Sequence, residues 1–571
     1  MCGIAGIFYK RQNNSISRDI NNILAKIKHR GPDGRGVFVE KNKIALGNTR
    51  LSIQDITRNG NQPLYSECKR YVIVFNGEIY NFKDLKKKLK EYRFRTNTDT
   101  EVLLYLFIKF GFKCLDSLKG FFSFAIWDKK KEELYCARDK FGIKPFYYTN
   151  NNSKFIFCSE IKPILDLKNN NEPNLNAINA YLTSEYYENI DRTFFNQIHK
   201  LSPGHYLIFS NKRVRIRKFW DFKSNLLNIK LPKKTSHIKE LIFNKIDKAV
   251  KLSLVSDTKV SIAASGGLDS SILFYHVKKN YGNISSLMSF KFNDKKYSEE
   301  KYVKYSLKKF GYKSKFSKID EDDFFSSIDK SIKIQEEPFS GLPVMAYEKC
   351  FQDNKNYKVI LDGSGLDEAH CGYDKYKYLK KNQYKISQDG SFIGDIISEN
   401  LKKNSTNYDY QLKKFFEDPL KNSMFQDLFY IKLPRALRFR DKISMANSCE
   451  LRPSFLDDEL ILTLFKLNKK YHLNKNYGKV LLREHYLKLI GKQIVYRNKQ
   501  QVQTPQREWF KKDKYNYINK LINSKNNIWE TNWIDKKKFV NLLNLIQKKK
   551  YNNSFFIWKM INLNVWYKNY F

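Results

Sequence analysis

The chain has 571 residues, 42% of them apolar and 15% aromatic, and carries a formal net charge of +46. That length exceeds one ordinary core, so two or more domains are expected, each with an interior of its own. No run of about 18 apolar residues occurs and no basic-then-apolar leader opens the chain, which argues against a membrane protein and sets the expectation of a soluble cytoplasmic one.

The first element, MCGIAGIFYK, puts Cys2 directly behind Met1 and ahead of a small-residue strand. Removal of Met1 would leave a residue with both a thiol and a free amine. The amine, with a pKa of about 8, can serve the thiol as general base without a histidine. The plainer alternative is a small buried hydrophobe. The eight cysteines are scattered, with no C-x-x-C and no paired histidine spacing, so reduced thiols are expected rather than disulfides or zinc.

YVIVFNGEIYNF, FFSFAIWD and LYCARD then alternate apolar and polar residues, while HRGPDGRG and FGIKP are turn signals. The first 220 residues therefore read as layered antiparallel sheets. The polar stretch 221–235, containing Pro232, is the linker candidate. From 236 onward, short apolar runs (VSIAAS, SLMSFKF, KVILDG) alternate with helical periodicity, which argues for a parallel sheet covered by helices.

In VSIAASGGLDSSILF a strand runs through Ser265-Gly266-Gly267 into a helix beginning near Asp269 and Ser270. Two glycines let backbone amides turn inward, the helix N-terminus adds positive potential, and the hydroxyls can donate to phosphate oxygens. KVILDGSGLDEAHCGY repeats the arrangement, bringing Asp367 and Glu368 to the carboxyl edge of the sheet. Taken alone, that acidic pair also suits a helix start. Asp269 and Asp367 beside a phosphate site together call for Mg²⁺. The final stretch, SFFIWKMINLNVWYKNYF, reads as a closing amphipathic helix. Lysines are spread from end to end with Asn, Ile, Tyr and Phe, as A+T-rich codons would produce, and no basic patch is confined to one domain. No nucleic-acid partner is expected.

The order of motifs resembles the glutamine-hydrolysing asparagine synthetases over essentially the whole chain. Cys2-Gly3-Ile4, HRGPDG, RLSIQD, FNGEIYN, NTDTE, RDKFGIKPFYY and SEIK look like a glutaminase of the N-terminal-nucleophile hydrolase fold, expected over residues 2–220. SGGLDS, EEP, GSGLDE, LRFRDKISMANSCELR, GKVLLRE and QTPQREWF look like a synthetase domain of the adenine nucleotide alpha hydrolase-like type, expected over 236–571. The resemblance implies that Cys2 attacks the glutamine amide, with Asn76 and the amide of Gly77 as oxyanion hole. Arg50 would clamp the glutamine carboxylate, and Asp99, with the backbone around Glu78, would hold its amine. Ala263, Phe292, Asp362 and Gly363 would line ATP, Ser265 to Ser270 would hold pyrophosphate, and Lys479 would offset charge at the α-phosphate. Aspartate would be adenylated and then amidated by ammonia that crosses a dry internal passage; a homodimer is compatible with this.

Four positions depart from the family. Ser364 stands where Glu or Gln is usual, a position associated with acyl-adenylate formation. Arg452-Pro453-Ser454-Phe455 shifts a proline, Asn48 replaces His, and Gln501 replaces Gly. These changes make the acceptor the open question, with a sugar uronic acid of surface-polysaccharide synthesis as the alternative to aspartate. A basic RNA-modifying ATPase would not need Cys2, Arg50, Asn76 and Asp99.

Overall fold

The structure is a computed structural model that describes residues 2–168, 170–184, 187–188, 191–282, 287–294, 296–379, 396–405, 414–497, 504–510, 515–548 and 553–571. Gln501 and Gln503 lie outside the described residues.

The first half contributes twelve strands among the described residues: β1 (Cys2–Tyr9), β2 (Gly34–Glu40), β3 (Ile44–Arg50), β4 (Leu64–Tyr65), β5 (Tyr71–Ile79), β6 (Gly120–Asp128), β7 (Glu133–Arg138), β8 (Tyr147–Asn150), β9 (Lys154–Cys158), β10 (His199–Lys200), β11 (His205–Ser210) and β12 (Arg213–Lys218). They form two antiparallel sheets, ordered β10-β8-β9-β1-β3-β2 and β12-β11-β7-β6-β5-β4. Along β1, Ala5, Ile7 and Tyr9 face the helix Ile16–Lys26, while Ile4 and Phe8 meet Val72 and Val74 of β5 between the sheets. Ile73 and Phe75, on the opposite face of β5, pack against the helix Asp99–Phe110. The layers therefore run helix, sheet, sheet, helix. The alternation seen in the sequence does not mark a wet face: β5 and β6 are buried on both sides, because each sheet is covered twice.

The second half is built on five parallel strands: β13 (Val260–Ala263), β14 (Leu287–Phe292), β15 (Ser314–Ile319), β16 (Val359–Asp362) and β17 (Glu450–Pro453). Their order is β15-β14-β13-β16-β17. The chain grows outward through β14 and β15, then returns to the other side of β13. The crevice at that reversal, beyond the carboxyl ends of β13 and β16, is where such sheets bind ligands.

Residues 221–235 are not an open tether. Asp221 caps the short helix Phe222–Leu227, and Phe222 packs against Phe425, Phe429 and Phe465. The terminal helix Ser554–Tyr570 differs from its amphipathic reading, since Phe556 to Trp566 are buried without interruption. Two of its polar side chains find partners inside: Asn562 accepts from the Phe339 amide and Trp566 donates to the Glu336 carbonyl. Among the described residues no helix is long and apolar enough to cross a membrane.

Charge holds the halves together. Glu336, fully buried, accepts from the amides of Ile161 and Lys162 at 2.8 Å each and pairs with the buried Lys442 ammonium. Arg30 reaches Glu160 at 3.2 Å and Asp441 at 2.9 Å. Removing one member strands its partner without water. Lys442→Met is expected to lower stability by about 3–5 kcal/mol, read as a lower urea midpoint. The double variant Lys442→Met/Glu336→Gln should recover part of that loss.

Candidate functional site

Two sites emerge, one in each half. In the first, the β1–β3 register sets Cys2 directly opposite Arg50. The Cys2 nitrogen, which would become the free amine once Met1 is gone, donates to Asn76 Oδ1 at 3.2 Å. That contact leaves Asn76 Nδ2 buried without a partner, the kind of donor an oxyanion hole needs. Gly77 follows on β5; any side chain there would stand 2.2 Å from the Phe121 carbonyl, so the close approach of β6 requires glycine. Burial pushes the Cys2 thiol up, opposed by the chain's N-terminal charge and by Arg50. The buried thiol thus depends on a base for its thiolate.

The Asp99 carboxylate accepts from the Ile79 amide at 2.8 Å and is pushed up to about 6, mainly by burial. Glu78, raised by burial and by Glu450, pairs with the Gln54 amide and lies 3.6 Å from Arg452. Arg50 is already engaged by its own loop. One terminal nitrogen meets the Thr57 carbonyl at 2.6 Å and Asn61 Oδ1 at 3.1 Å, and the other meets the Gln54 and Asp55 carbonyls. Arg50 therefore orders the loop after β3, and a substrate carboxylate meets it only at Nε or by displacing a carbonyl. Asn48, which replaces the family's His, hydrogen-bonds Gln62 beneath the site.

The second site is a cavity of about 370 Å³ at the strand reversal. Ala263, Ser265, Gly267, Asp269, Ser270, Asp362, Gly363, Ser364, Asp367 and Lys479 all line it. Gly266 turns the loop at φ +63°, with Tyr302 and Val303 so close that a Cβ would collide at 2.8 Å. Ser265 and Ser270 hydroxyls lie 3.2 Å apart. Lys479 sits left-handed at φ +57° before the helix Val480–Ile490 and inserts its ammonium between carboxylates, 2.5 and 2.6 Å from Asp269 and 2.5 Å from Asp367. The Lys479 ammonium fills the cation position between the two carboxylates; with it turned toward a phosphate, the same hard oxygen donors suit Mg²⁺.

Phe292 is not part of this cavity. It packs on Trp509, 6.0 Å between ring centroids, and lines a separate cavity of about 260 Å³, while Met288, Ser289 and Phe290 of the same strand face the nucleotide crevice. Alternation alone would put Phe292 on the same face as Phe290; it departs because it is the last residue of β14, where its ring turns onto Trp509. Arg440, Arg497, Lys432 and Arg435 also line the cavity and were not singled out by sequence. Lys432, Ala436 and Arg440 recur every fourth residue along the segment that contains the helix Leu433–Ala446, a one-face pattern that was available as a signal. The shifted Pro453 closes β17 opposite Asp362, and Ser454 donates to the Asp362 carbonyl at 3.0 Å.

Comparison with known proteins agrees with this two-site architecture. Residues 1–220 match the glutamine amidotransferase domain and 242–568 match asparagine synthase. The chain belongs to the asparagine synthase family. It is 36% identical over 399 residues to a Methanocaldococcus jannaschii protein whose name places it among the glutamine-hydrolysing asparagine synthetases, covering 65% of this chain and 76% of the relative. It is 28% identical over 624 residues to asparagine synthetase 1 of Bacillus subtilis, covering 99% and 96%. A fungal relative named amidase chry2, from Gibberella zeae, is 29% identical over 382 residues, covering 63% of this chain and 56% of that protein. The chain is thus an enzyme that fuses a glutamine amidotransferase to a synthetase.

If Asp99 anchors the glutamine ammonium, its carboxylate has to be ionised. With its pKa raised to about 6, the KM for glutamine is expected to be flat above neutrality and to rise roughly tenfold per pH unit below that value. Asp99→Asn should remove the pH dependence and leave a high KM; an unchanged profile in the variant would assign the titration elsewhere.

Proposed function

We propose that the enzyme makes asparagine from aspartate, using ammonia taken from glutamine and energy from ATP, through a β-aspartyl-AMP intermediate. The observation that carries the synthetase half is the Lys479 ammonium set between Asp269 and Asp367 beneath the Ser265–Ser270 loop. The unpartnered Nδ2 of Asn76 beside Cys2 supports the glutaminase half.

At the first site the Cys2 sulfur attacks the glutamine side-chain carbonyl while its proton passes to the Cys2 amine. Asn76 and the Gly77 amide receive the developing oxyanion, where one donor is worth about 3–4 kcal/mol. Ammonia leaves, and water hydrolyses the glutamyl thioester to glutamate, restoring the thiol. At the second site a carboxylate oxygen of the acceptor attacks the α-phosphorus of ATP and the bond to the β-phosphate breaks, releasing pyrophosphate. Lys479 answers the charge that grows at the α-phosphate, and the backbone and hydroxyls of the Ser265–Ser270 loop hold the departing pyrophosphate. Asp269 and Asp367 would hold Mg²⁺, whose charge would stabilise the pyrophosphate leaving group. Ammonia then attacks the acyl carbon, AMP leaves with the bonding electrons, and one proton is lost.

Ammonia has to stay unprotonated between the sites. One apolar cluster contains Leu51, Phe121 and Ile143 from the first half together with Ile262, Ala264 and Met445 from the second. It supplies dry ground for that passage, with the charged junction lying beside it.

With ATP, Mg²⁺ and glutamine, purified enzyme is expected to release pyrophosphate only when aspartate is added, with asparagine appearing in equal amount. Cys2→Ala should abolish glutamine use and keep synthesis from added ammonia. Glutamine hydrolysis without aspartate-dependent pyrophosphate would overturn aspartate as acceptor and turn attention to sugar acids.

A further inference from the structure

We propose that Arg440, seated on the Ser364 hydroxyl, binds a second anionic group of the acceptor and so selects which carboxylate is amidated; this rests on the synthetase reading above. Arg440 projects from the helix Leu433–Ala446 into the cavity that also contains Asp362, Gly363 and Ser364. All its hydrogen bonds pass through one terminal nitrogen, to both Asp362 oxygens at 2.7 Å and to the Ser364 hydroxyl. Among the described residues Nε and the other terminal nitrogen have no hydrogen-bond partner, and the side chain is 25% exposed. Its guanidinium lies 5.4 Å from the centroid of the Tyr347 ring, which helps hold its orientation.

A guanidinium anchored at one nitrogen presents its other edge as a ready-made fork for carboxylate or phosphate. Ser364 makes this possible. An acidic side chain at that position would give the arginine a second counter-charge, whereas a hydroxyl anchors it and leaves Asp362 as its one hydrogen-bonded carboxylate. Lys432 and Arg435 line the same cavity and add positive potential. The group held here is not the reacting carboxylate. A carboxylate gripped by a guanidinium is a poor nucleophile, and Lys479 already serves the reacting centre. The acceptor class is therefore a carboxylic acid with a second anion: the α-carboxylate of an amino dicarboxylic acid, or the phosphate of a sugar-acid ester.

The test measures ammonia-dependent pyrophosphate release by the full-length enzyme with two acceptor pairs: aspartate against 3-aminopropanoate, and a phosphorylated uronic acid against the free uronic acid. The wild-type enzyme is expected to favour the doubly anionic member of one pair by roughly 100-fold in kcat/KM, the magnitude of one charge-assisted bidentate contact. Which pair responds identifies the source of the anion. Arg440→Gln should abolish the preference chiefly through acceptor KM, with the glutaminase rate unchanged, and Arg440→Lys should restore part of it. A preference kept in Arg440→Gln, or an ATP KM that rises in step with the acceptor KM, overturns the role of Arg440 while leaving the synthetase reading intact. Pyrophosphate release by no carboxylate in the wild-type enzyme overturns both.

Discussion

A charge removed from water has to be answered by another charge, and the junction between the two halves is built on that constraint. Arg452 on β17 is its centre. Fully buried, it pairs through Nε with Glu450, donates to the Ser253 and Val255 carbonyls at 2.8 and 2.6 Å, and comes within 3.6 Å of Glu78 in the glutamine site. One and two residues further along, Pro453 and Ser454 meet Asp362 at the nucleotide cavity. A single short strand therefore touches both sites. A second set of pairs, Arg438 with Glu188 at 2.7 Å and Lys200 with Glu188 at 2.9 Å, stands at the outer edge of the junction.

Such a junction specifies geometry more than it adds stability. Each ion pays a desolvation cost that its partner only just repays, so a sliding or rotated interface would leave several charges unanswered at once. Apolar contacts alone tolerate small shifts, because they are indifferent to direction. Combining a charged seam with the apolar cluster beside it fixes the relative position of two sites that exchange a molecule as small as ammonia.

Much of this was legible in the sequence where a local rule decides. β5, β6, β7, β13, β14 and β16 fall on the runs that alternation and apolar content marked. Asp269 and Asp367 meet as their two loops predicted, because both follow strands that flank the topological reversal. What escaped depends on distant partners. β17 is only four residues long, too short for its pattern to mark a strand, and its Glu450 and Arg452 are buried by partners distant in sequence. The terminal helix closes the chain as its spacing predicted, but the unbroken burial from Phe556 to Trp566 comes from the elements packed around it and not from its own pattern. Arg50 reads as a substrate clamp from its motif; that its terminal nitrogens also tie down the loop after β3 depends on the loop's path, which spacing does not reveal.

The two sites are held by different kinds of scaffold, and this bears on how each tolerates change. Cys2, Arg50 and Asn76 sit on strands in register, so a one-residue slip would turn every one of them to the other face. Their placement is a property of whole sheets and is insensitive to most single side chains. The nucleotide cavity hangs instead on loops whose glycines are sterically compelled: a Cβ at Gly372 would lie 1.8 Å from Asp367 Oδ1, and one at Gly478 would lie 1.8 Å from the Cys371 carbonyl. Side chains on the loop and helix faces between those glycines are free to vary without moving them. That division leaves the ammonia-producing chemistry fixed by the fold and, on the role proposed for Arg440, lets the acceptor end change partner by exchanging a pair of side chains.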